Sequence, residues 1–455
     1  MKIAGIVAEY NPFHTGHGHQ ITRTRAQLGE DCAVVAVMSG NWVQQADCAI
    51  ADKWTRARLA LTGGADLVLE LPTVWACSTA ESFACGAVSI LNACGVADAP
   101  KGDVTVTDMV GRTVSVAPGS YKRVVCIGAG ALRMYCYIGE VSDLAGVEDI
   151  DNTSLENRPK MFDSVARPYM LAFGESFENL PSCGVGGPMA QAPDVEKILS
   201  CNPDIIISEF EDAEVAANLQ QQTGVPVITL GTGKDGVFDE EFFSCMTLLG
   251  TVFGKEEKAA DLIAFIKAEK AAIEARVKDI PEENKPSVYI CGLGNWGTTD
   301  HLMTAEDYVS FRVAGVKNVV SGLGMTGIGP IEEEKFVELS EQMDILIMDA
   351  AAVKNIKPLY AEDPTMFDTC KAWQNGEVYL EMAYNAYYTN YEIALANTWF
   401  IAKTVYPEAF ADIDLTAKLN EITKAFLGAE LAEEIFACPG SLGGYGKIDT
   451  AAVFG

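Results

Sequence analysis

Residues 256–278 read EEKAADLIAFIKAEKAAIEARVK, and this stretch decides how the larger part of the chain is organised. It is charged, rich in alanine and free of glycine, and its apolar residues recur at helical spacing, so it predicts one long helix. Pro281 and Pro286 follow and end the helical pattern. Because apolar strand patterns lie on both sides, we expect this helix to bridge two α/β halves.

The flanking segments predict buried strands alternating with helices, which is typical of α/β folds. After a β-rich stretch over Val104–Val116, the first half has strands at Arg123–Ile127, Asp204–Ser208 and Val225–Leu230 and a helix at Ala131–Ile138. The second half has strands at Ser287–Cys291, Asp344–Met348 and Val378–Leu380 and a helical tail from Tyr391 onward. We therefore expect a two-lobed architecture.

The two halves also resemble each other in sequence. Residues 195–207, VEKILSCNPDIII, and residues 334–347, EKFVELSEQMDILI, each combine a short amphipathic helix, a turn, an aspartate and a buried strand. We interpret this as internal duplication. The alternative is that any junction between a helix and a strand has this pattern.

The first 98 residues have their own alternation of apolar strand patterns and helix patterns, which predicts a doubly wound parallel sheet. The predicted strands are Lys2–Ala8, Ala33–Met38 and Asp66–Leu71, and the predicted helices are His17–Leu28, Asp52–Leu61 and Thr79–Ala93. The texture changes near residues 97–102, ADAPKG, which we take as the boundary of this part.

Charge is distributed unevenly along the 455 residues. The net charge is −30, of which residues 1–98 carry only −3. Such an acidic body repels nucleic acid phosphates, so we do not expect tRNA as a partner of the larger part. The 13 cysteines include no C-x-x-C pair, which argues against a zinc ribbon or a disulfide framework, and we expect no metal site and mostly buried free thiols.

Targeting signals are not expected in this chain. The N-terminus, MKIAGIVAEYNPFH, has one lysine and a short strand-like apolar run, unlike a secretory signal. No apolar run is long enough for a transmembrane helix. As given, the chain is therefore expected in the cytoplasm. We also expect it to be a monomer.

Three of the four histidines lie in residues 9–20, EYNPFHTGHGHQ. His14-Thr15-Gly16-His17 follows a predicted strand and opens a predicted helix, whose N-terminal N–H groups are a natural seat for phosphates. Gly16 lets the backbone approach closely, and the two imidazoles can donate hydrogen bonds to a transferring phosphoryl group. The alternative is two surface histidines in a turn.

These residues resemble the HxGH signature of adenylyl-transferring nucleotidyltransferases. Residues 5–14 (GIVAEYNPFH), 39–44 (SGNWVQ), 49–57 (AIADKWTRA) and 66–72 (DLVLELP) resemble more specifically the N-terminal half of the tRNA(Met) cytidine acetate ligases. The resemblance implies a Rossmann-like fold and an ATP site that activates acetate as acetyl-adenylate for a tRNA cytidine. It implies catalytic roles for His14 and His17 and nucleotide contacts from Val7, Asn11, His14, Gly16, His17, Gln20, Ser39, Lys53 and Arg56.

This part departs from the ligase pattern in two respects. Gln45-Ala46 stands where that family usually has Arg-Gly, which removes one phosphate contact. Nothing after Asp98 resembles the ligases, so we expect a truncated half-site that holds ATP loosely and is inactive.

The larger part resembles the solute-binding proteins of ABC importers in the iron-chelate and cobalamin class. The similar segments are residues 106–114 (VTDMVGRTV), 122–125 (KRVV), 199–207 (LSCNPDIII) and 397–410, which ends in YPEAF. The resemblance implies two α/β lobes bridged by one long helix, a metal chelate or corrinoid-like solute, an ABC permease as partner and no cofactor. Members of that class are extracytoplasmic and membrane-anchored, which conflicts with the missing export signal.

The ligand is expected outside the carboxyl ends of the strands, where loops of the two lobes face each other. Arg133 is a candidate partner for an anionic chelate, and Trp296 is a candidate cover for an organic face. Tyr384, Tyr387 and Tyr388 are further candidates. The alternatives are local pairing for the arginine and packing for the tyrosines.

The related residues Glu196 and Glu334 resemble the carboxylates that this class presents to permease arginines. Two charges far apart would orient a two-lobed body on a two-fold partner. The alternative is that both are solvated helix residues.

Four parts are thus predicted: 1–98, a nucleotidyltransferase-like fragment; 103–235, lobe 1; 236–285, a helical linker; and 286–455, lobe 2. The leading hypothesis is the solute-binding component of an ABC importer for an iron chelate or similar metal complex, fused behind a truncated nucleotidyltransferase half. The alternative is an ATP-dependent tRNA(Met) cytidine acetate ligase. Whether the chain is an enzyme is left open by these hypotheses.

Overall fold

The computed structural model of the protein describes residues 2–29, 31–94, 96, 103–187, 190–231, 233, 236–294 and 300–455. The chain divides into two compact units, Met1–Lys101 and Gly102–Gly455. Both units are mixtures of helices and largely parallel sheets, so the predicted α/β class is confirmed.

The N-terminal unit is built on a parallel sheet in the order β1-β2-β3. Its strands are β1 (Ile3–Ala8), β2 (Ala33–Ser39) and β3 (Leu67–Leu71). Its helices are α1 (Thr15–Leu28), α2 (Lys53–Thr62), α3 (Thr73–Ala76) and α4 (Ala80–Ala93). Because consecutive strands are parallel, each connection must cross a face of the sheet, and helices fill these connections.

Both faces of this sheet are covered. Ile21 of α1 and Ala60 of α2 pack with one set of sheet residues, including Val34. Phe83 and Leu91 of α4 pack with the other set. The side chains of β2 are therefore buried on both sides, which explains its uninterrupted apolar sequence.

The C-terminal unit begins with an antiparallel hairpin of β4 (Val104–Thr107) and β5 (Thr113–Val116). Lobe 1 then forms a five-stranded sheet in the order β10-β9-β6-β7-β8. Its strands are β6 (Val124–Ile127), β7 (Leu144–Glu148), β8 (Ser182–Gly184), β9 (Ile205–Ser208) and β10 (Val227–Thr229). Its helices are α5 (Ala131–Ile138), α6 (Pro168–Phe177), α7 (Val195–Ser200) and α8 (Ala213–Thr223).

Lobe 2 carries a second five-stranded sheet in the order β13-β11-β15-β16-β17, with a small β12–β14 ribbon beside it. The strands are β11 (Ser287–Cys291), β12 (Met303–Ala305), β13 (Lys317–Asn318), β14 (Ile328–Pro330), β15 (Ile345–Asp349), β16 (Val378–Glu381) and the antiparallel β17 (Gly446–Lys447). The helices are α11 (Val309–Val313), α12 (Glu333–Ser340), α13 (Val353–Glu362), α14 (Lys371–Gln374), α15 (Tyr391–Val405), α16 (Leu415–Leu427), α17 (Ala432–Ala437) and α18 (Thr450–Phe454).

Two helices lie between the sheets of the two lobes in the sequence, α9 (Glu240–Phe253) and α10 (Glu256–Val277). The predicted long helix is therefore confirmed and ends one residue earlier than expected. α9 contacts α5 of lobe 1, whereas α10 contacts α11, α15 and α16 of lobe 2. Since α9 and α10 also pack against each other, they connect the lobes through one continuous apolar core.

The two sheets share a strand order. In lobe 1, β9 follows α7 and pairs with β6, the first strand of that sheet, in the order β10-β9-β6-β7. In lobe 2, β15 follows α12 and pairs with β11, the first strand of that sheet, in the order β16-β15-β11-β13. This correspondence agrees with the similarity between residues 195–207 and 334–347.

Several elements were not predicted from the sequence. The strands β7 and β8 and the β12–β14 ribbon are short, and β7 contains a glycine in the run LAGVE, so none has a strong strand pattern. The helix expected from His17 begins at Thr15, because His14 caps it.

Within the described residues no helix is both long and apolar enough to cross a membrane. All thirteen cysteines are free thiols, and most of them are buried. Short 3-10 turns lie at Gln44–Ala46, Val141–Asp143, Asp149–Asp151, Gly236–Phe238, Glu282–Asn284, Ala350–Ala352 and Pro439–Ser441.

Candidate functional site

The histidine motif of the N-terminal unit forms the N-terminus of α1. His14 is the N-cap, and its Nδ1 accepts a hydrogen bond from the backbone N–H of Gly16 at 3.1 Å. The N–H of His14 in turn donates to Nδ1 of His17 at 3.2 Å. The two imidazole rings stack with their centroids 3.8 Å apart. The motif is thus a reciprocal capping box, with both imidazoles at the positive end of the helix dipole.

His17 is held on a small aromatic cluster. Its ring meets those of Tyr10 and Phe13 edge-on or tilted, with centroids 4.9 and 5.4 Å away. Partial burial, together with the neighbouring His14, lowers the pKa of His17 below its ordinary value. The ring is therefore mostly neutral at pH 7, which leaves Nε2 available as a hydrogen-bond partner.

The capping geometry yields a measurable prediction. Replacing His14 with alanine removes the side-chain cap of α1, and we expect a loss of about 1 kcal/mol in the local stability of that helix. Hydrogen exchange of the amides of Thr15–Leu28, followed by mass spectrometry, measures this loss. His14→Asn, which retains a capping acceptor, should restore most of the protection, and His19→Ala at an exposed position should change little. Equal protection in His14→Ala and the wild type would contradict the capping role.

The nucleotide contacts implied for Lys53 and Arg56 have partners within the protein. Nζ of Lys53 pairs with Glu70 at 2.6 Å. Arg56 is fully buried, and its guanidinium donates to the backbone carbonyls of Glu9, Ser39, Gly40 and Ala51. Arg56 thus ties the ends of β1 and β2 together, and a nucleotide contact by either residue stays a prediction.

The other implied nucleotide residues lie at or near the same carboxyl edge of the sheet. Asn11 accepts a hydrogen bond from the N–H of Ile50 at 2.7 Å, and Ser39 is fully buried at the end of β2. Gly16 and Gln20 are exposed on α1, and Val7 is 37% exposed on β1. All of them remain predictions for ATP contacts.

In the C-terminal unit the two lobes enclose a cavity of about 370 Å³. Lobe 1 contributes glycines after β10, and lobe 2 contributes the turn before α11, part of β14 and the segment after β16. The lining residues are Gly233, Gly236, Ala305, Asp307, Tyr308, Val309, Ser310, Gly327, Ile328, Tyr384, Asn385, Tyr388, Thr389 and Ala394. The cavity contains Tyr384 and Tyr388, two of the residues predicted from sequence to bind the solute.

The segment Tyr384–Asn390, here called the tyrosine segment, leaves β16 of lobe 2 and contacts lobe 1. Tyr387 and Tyr388 adopt left-handed backbone conformations, with φ of 51° and 70°, which non-glycine residues rarely use. Such a conformation persists only where surrounding contacts hold it. The contacts come from lobe 1.

Arg133 of α5 is the principal contact. It is 1% exposed, and its guanidinium donates to the backbone carbonyls of Ala386, Tyr387 and Thr389 at 2.7–3.0 Å. Its charge also lies over the ring of Tyr169. The structure therefore uses Arg133 to hold the tyrosine segment, and pairing with an anionic chelate stays a prediction.

Glu148 at the end of β7 makes the second contact. Its Oε1 accepts from the N–H of Gly128 at 3.1 Å, and its Oε2 accepts from the hydroxyl of Tyr387 at 2.5 Å. Burial raises the pKa of Glu148 to about 7. Tyr387 is only 3% exposed, so its hydroxyl is used between the lobes rather than toward the cavity.

Acidic residues end other strands of the two sheets. Asp349 and Glu381 end β15 and β16 and are cross-strand partners, and Glu209 directly follows β9. Burial raises the pKa of all three carboxyls, that of Asp349 to about 7. The sequence interpretation overlooked these residues and Glu148, although each ends or follows an apolar strand run, which was the available signal.

Glu209 also explains the glycines of the loop between β6 and α5. Gly128 and Gly130 have φ of 88° and 100°, and a Cβ at Gly130 would lie 3.2 Å from Oε1 of Glu209. The carboxyl groups of Glu148 and Glu209 thus approach this loop from two sides.

The remaining predicted residues lie away from the cavity or outside the described residues. Trp296 belongs to residues 295–299, which are not among those described. Glu196 and Glu334 are exposed in the first turns of α7 and α12, at corresponding places in the two lobes. Across the described part of the chain, no cluster of three or more His, Cys, Asp or Glu side chains is arranged to hold a metal ion.

Comparisons of the N-terminal unit agree with its motif. A family model described as HIGH Nucleotidyl Transferase matches residues 1–100. The tRNA(Met) cytidine acetate ligase of Caldicellulosiruptor saccharolyticus is 54% identical over 96 residues, 21% of this chain and 24% of that protein. The corresponding protein of Acetivibrio thermocellus is 45% identical over 275 residues, 55% of this chain and 63% of that protein. This match is longer than the N-terminal unit, so the expectation that nothing after Asp98 resembles the ligases is wrong. The chain thus spans less than two thirds of the length of either relative.

Solved structures resemble the C-terminal unit in fold. The periplasmic solute binding protein from Veillonella parvula aligns with a TM-score of 0.57 and 19% identity, over 74% of this chain and 96% of that one. The molybdate periplasmic binding protein MolA of Haemophilus influenzae aligns with a TM-score of 0.54 and 18% identity, over 72% and 99%. A family model described as Periplasmic binding protein matches residues 124–381, more than half of the chain. With its two lobes, bridging helix and interlobe cavity, the chain belongs to the periplasmic binding protein family.

Proposed function

We propose that the C-terminal unit is the solute-binding component of an ABC importer and holds its solute in the cavity between the lobes. The observation that carries this proposal is the 370 Å³ cavity, lined from both lobes and placed outside the carboxyl ends of the strands. An iron chelate or similar metal complex, including a corrinoid-like one, is the proposed class of solute.

Permease docking through Glu196 and Glu334 is part of this proposal. Both side chains are exposed on corresponding helices, so each lobe offers one carboxylate to a partner. Basic residues on a two-fold permease would complement such a pair.

Calorimetric titration of the full chain tests solute binding. Ferric citrate, ferrioxamine B, haem and cobalamin would be titrated separately, and we expect micromolar or tighter binding of at least one. If no compound of this panel gives a heat of binding or raises the melting temperature of the protein, the proposal would be contradicted. Ile328→Trp, at a half-buried position of the lining, narrows the cavity and should weaken the binding at least tenfold while the protein stays folded, as checked by circular dichroism.

A second function is favoured by the histidine motif and by the identity to the ligases. We propose for the N-terminal unit an ATP site at the start of α1, with His14 and His17 at the transferring phosphate, and acetyl-adenylate formation for a tRNA cytidine as its reaction. Support for this site comes from the capping box, in which both imidazole rings lie at the N-terminal end of α1. Because Gln45-Ala46 stands where the ligases usually have Arg-Gly, we propose that this reaction is slow.

Acetate-dependent exchange of pyrophosphate into ATP measures that reaction directly. Exchange that disappears in His17→Ala but persists in His19→Ala would support the ligase function. No exchange, together with retained solute binding, would leave the importer function alone. The two functions also differ in compartment, since an importer receptor works outside the cytoplasm and a tRNA ligase inside it, so cell fractionation separates them.

A further inference from the structure

The wall of the interlobe cavity combines aromatic rings with acidic groups. Tyr308, Tyr384 and Tyr388 all line it, and the rings of Tyr308 and Tyr384 lie 6.2 Å apart. Asp307 lines the same wall, where Arg312 also pairs with its carboxylate. Aromatic rings attract cations through their quadrupole, and a nearby carboxylate strengthens the attraction.

A buried carboxyl group lies behind this wall. Glu381 is fully buried, and its Oε1 accepts a hydrogen bond from the hydroxyl of Tyr308 at 3.0 Å. Its Oε2 has no hydrogen-bond partner in the described structure. Leaving a buried polar atom unpaired costs free energy, so the site is completed by a group that interacts favourably with this oxygen or its charge.

Further carboxyl groups lie at the strand ends of both lobes. Asp349 is the cross-strand partner of Glu381 and is 2% exposed. At the corresponding edge of lobe 1, Oε1 of Glu209 is buried and also has no hydrogen-bond partner among the described residues. Of these four carboxyls, that of Asp307 lines the cavity, and those of Glu209, Asp349 and Glu381 end or follow neighbouring strands.

We propose that the solute of this cavity is a cation with an apolar face, recognised by Tyr308, Tyr384 and Tyr388 and by the carboxyls of Asp307 and Glu381. The proposal rests on the proposed solute-binding function and specifies its substrate class. The proposal applies equally to an organic cation and to a positively charged metal complex. It differs from the sequence-based prediction that Arg133 pairs with an anionic chelate.

Proton release accompanies binding in this arrangement. Burial first, and then the neighbouring Asp349, raises the pKa of Glu381 well above its ordinary value, which favours the protonated carboxyl when no solute is bound. A cation nearby favours the ionised form. The titratable and charged groups that face Glu381 and Asp349 are Cys291, Tyr308, Tyr384, Tyr445 and Lys354. Affinity for the cation should therefore rise with pH, by up to tenfold per unit.

Matched pairs of probes test the charge of the solute in the full chain. Choline is compared with 3,3-dimethylbutan-1-ol, which has the same shape but no charge. Ferrioxamine B, whose free ammonium makes it cationic, is compared with its neutral N-acetyl derivative. Molybdate and ferric citrate represent anions. We expect calorimetry at pH 7.5 to show at least one cation binding ten times or more as tightly as its neutral counterpart, and the pair that responds distinguishes an organic cation from a cationic complex.

Variants test whether side chains at the cavity wall cause the preference for a cation. Glu381→Gln should lower the affinity for the responding cation about tenfold and remove the dependence of the measured enthalpy on buffer that proton release causes. Asp307→Asn should lower that affinity several-fold without changing proton release. Glu362→Gln, at an exposed position on α13, is the matched control and should alter neither.

The outcomes separate this proposal from the function on which it rests. Tightest binding by molybdate or ferric citrate, or equal binding within both matched pairs, would keep the solute-binding function and overturn the cation preference. Failure of every probe, including haem and cobalamin, would overturn both. If Glu381→Gln does not fold, the matched pairs and Asp307→Asn still decide the question.

Discussion

Replacing Arg133 with methionine is expected to lower the free energy of unfolding of the C-terminal unit by about 3 kcal/mol or more. Methionine retains much of the volume of the side chain but donates no hydrogen bonds. The carbonyls of Ala386, Tyr387 and Thr389 would then lose their donors in a buried environment. Two of the residues in this segment also hold left-handed backbone conformations that depend on these contacts.

Urea denaturation measures the global effect, and hydrogen exchange of residues 385–390 measures it locally. Arg133→Lys retains the charge but not the planar fork of donors, so an intermediate loss is expected. The matched control is Lys122→Met, which removes a surface ion pair whose lysine side chain is 67% exposed and should cost less than about 1 kcal/mol. A loss in Arg133→Met no larger than in this control would show that the tyrosine segment is held by other contacts.

Replacing Glu148 with glutamine is expected to stabilise the protein at pH 8 and to have much less effect at pH 5. Burial raises the pKa of Glu148 from 4.5 to about 7 in the folded protein. An acid whose pKa is raised on folding contributes stability that is fully present below pH 4.5 and is lost as the pH rises through 7. Between pH 5 and pH 8 this group alone should lower the free energy of unfolding by about 2–3 kcal/mol.

The difference between wild type and Glu148→Gln isolates this contribution from those of other groups. The pKa of Asp412 is lowered to about 2, so its contribution is constant above pH 5. His301, whose pKa is lowered by burial, contributes in the opposite direction but equally in both proteins. Urea denaturation at pH 5, 6, 7 and 8 gives the curve, with the exposed Glu175→Gln as control. Parallel curves for wild type and Glu148→Gln would refute the assignment.

These two residues show where sequence patterns are informative and where they are not. Arg133 was recognised as important because an arginine stood in a predicted helix after a predicted strand, but its partners lie more than 250 residues away in the sequence. The role of a cationic side chain depends on which carbonyls or carboxylates it contacts, and long-range packing decides those contacts. The sequence therefore located the residue but not the backbone carbonyls that it holds.

Local patterns were reliable where the physical signal is local. The long helix α10, the strand Ser287–Cys291 and the helix Ala131–Ile138 follow from periodicity and composition within a few turns. Short strands such as β8 were not predicted, because three residues are too few to show an alternation of apolar and polar side chains. The HxGH motif was placed correctly at a helix start because capping is a contact between residues three apart.

The sequence by itself determined the α/β class, the bridging helix, the similarity of the two halves and the histidine-capped N-terminus of α1. Only the tertiary structure decided which residues line the interlobe cavity, because the cavity is assembled from the turn before α11, the segment after β16 and glycines after β10. It also decided that Glu381 is buried, with one oxygen that has no hydrogen-bond partner among the described residues. Burial and partnership of a charge are properties of three-dimensional packing, and no spacing along the chain encodes them.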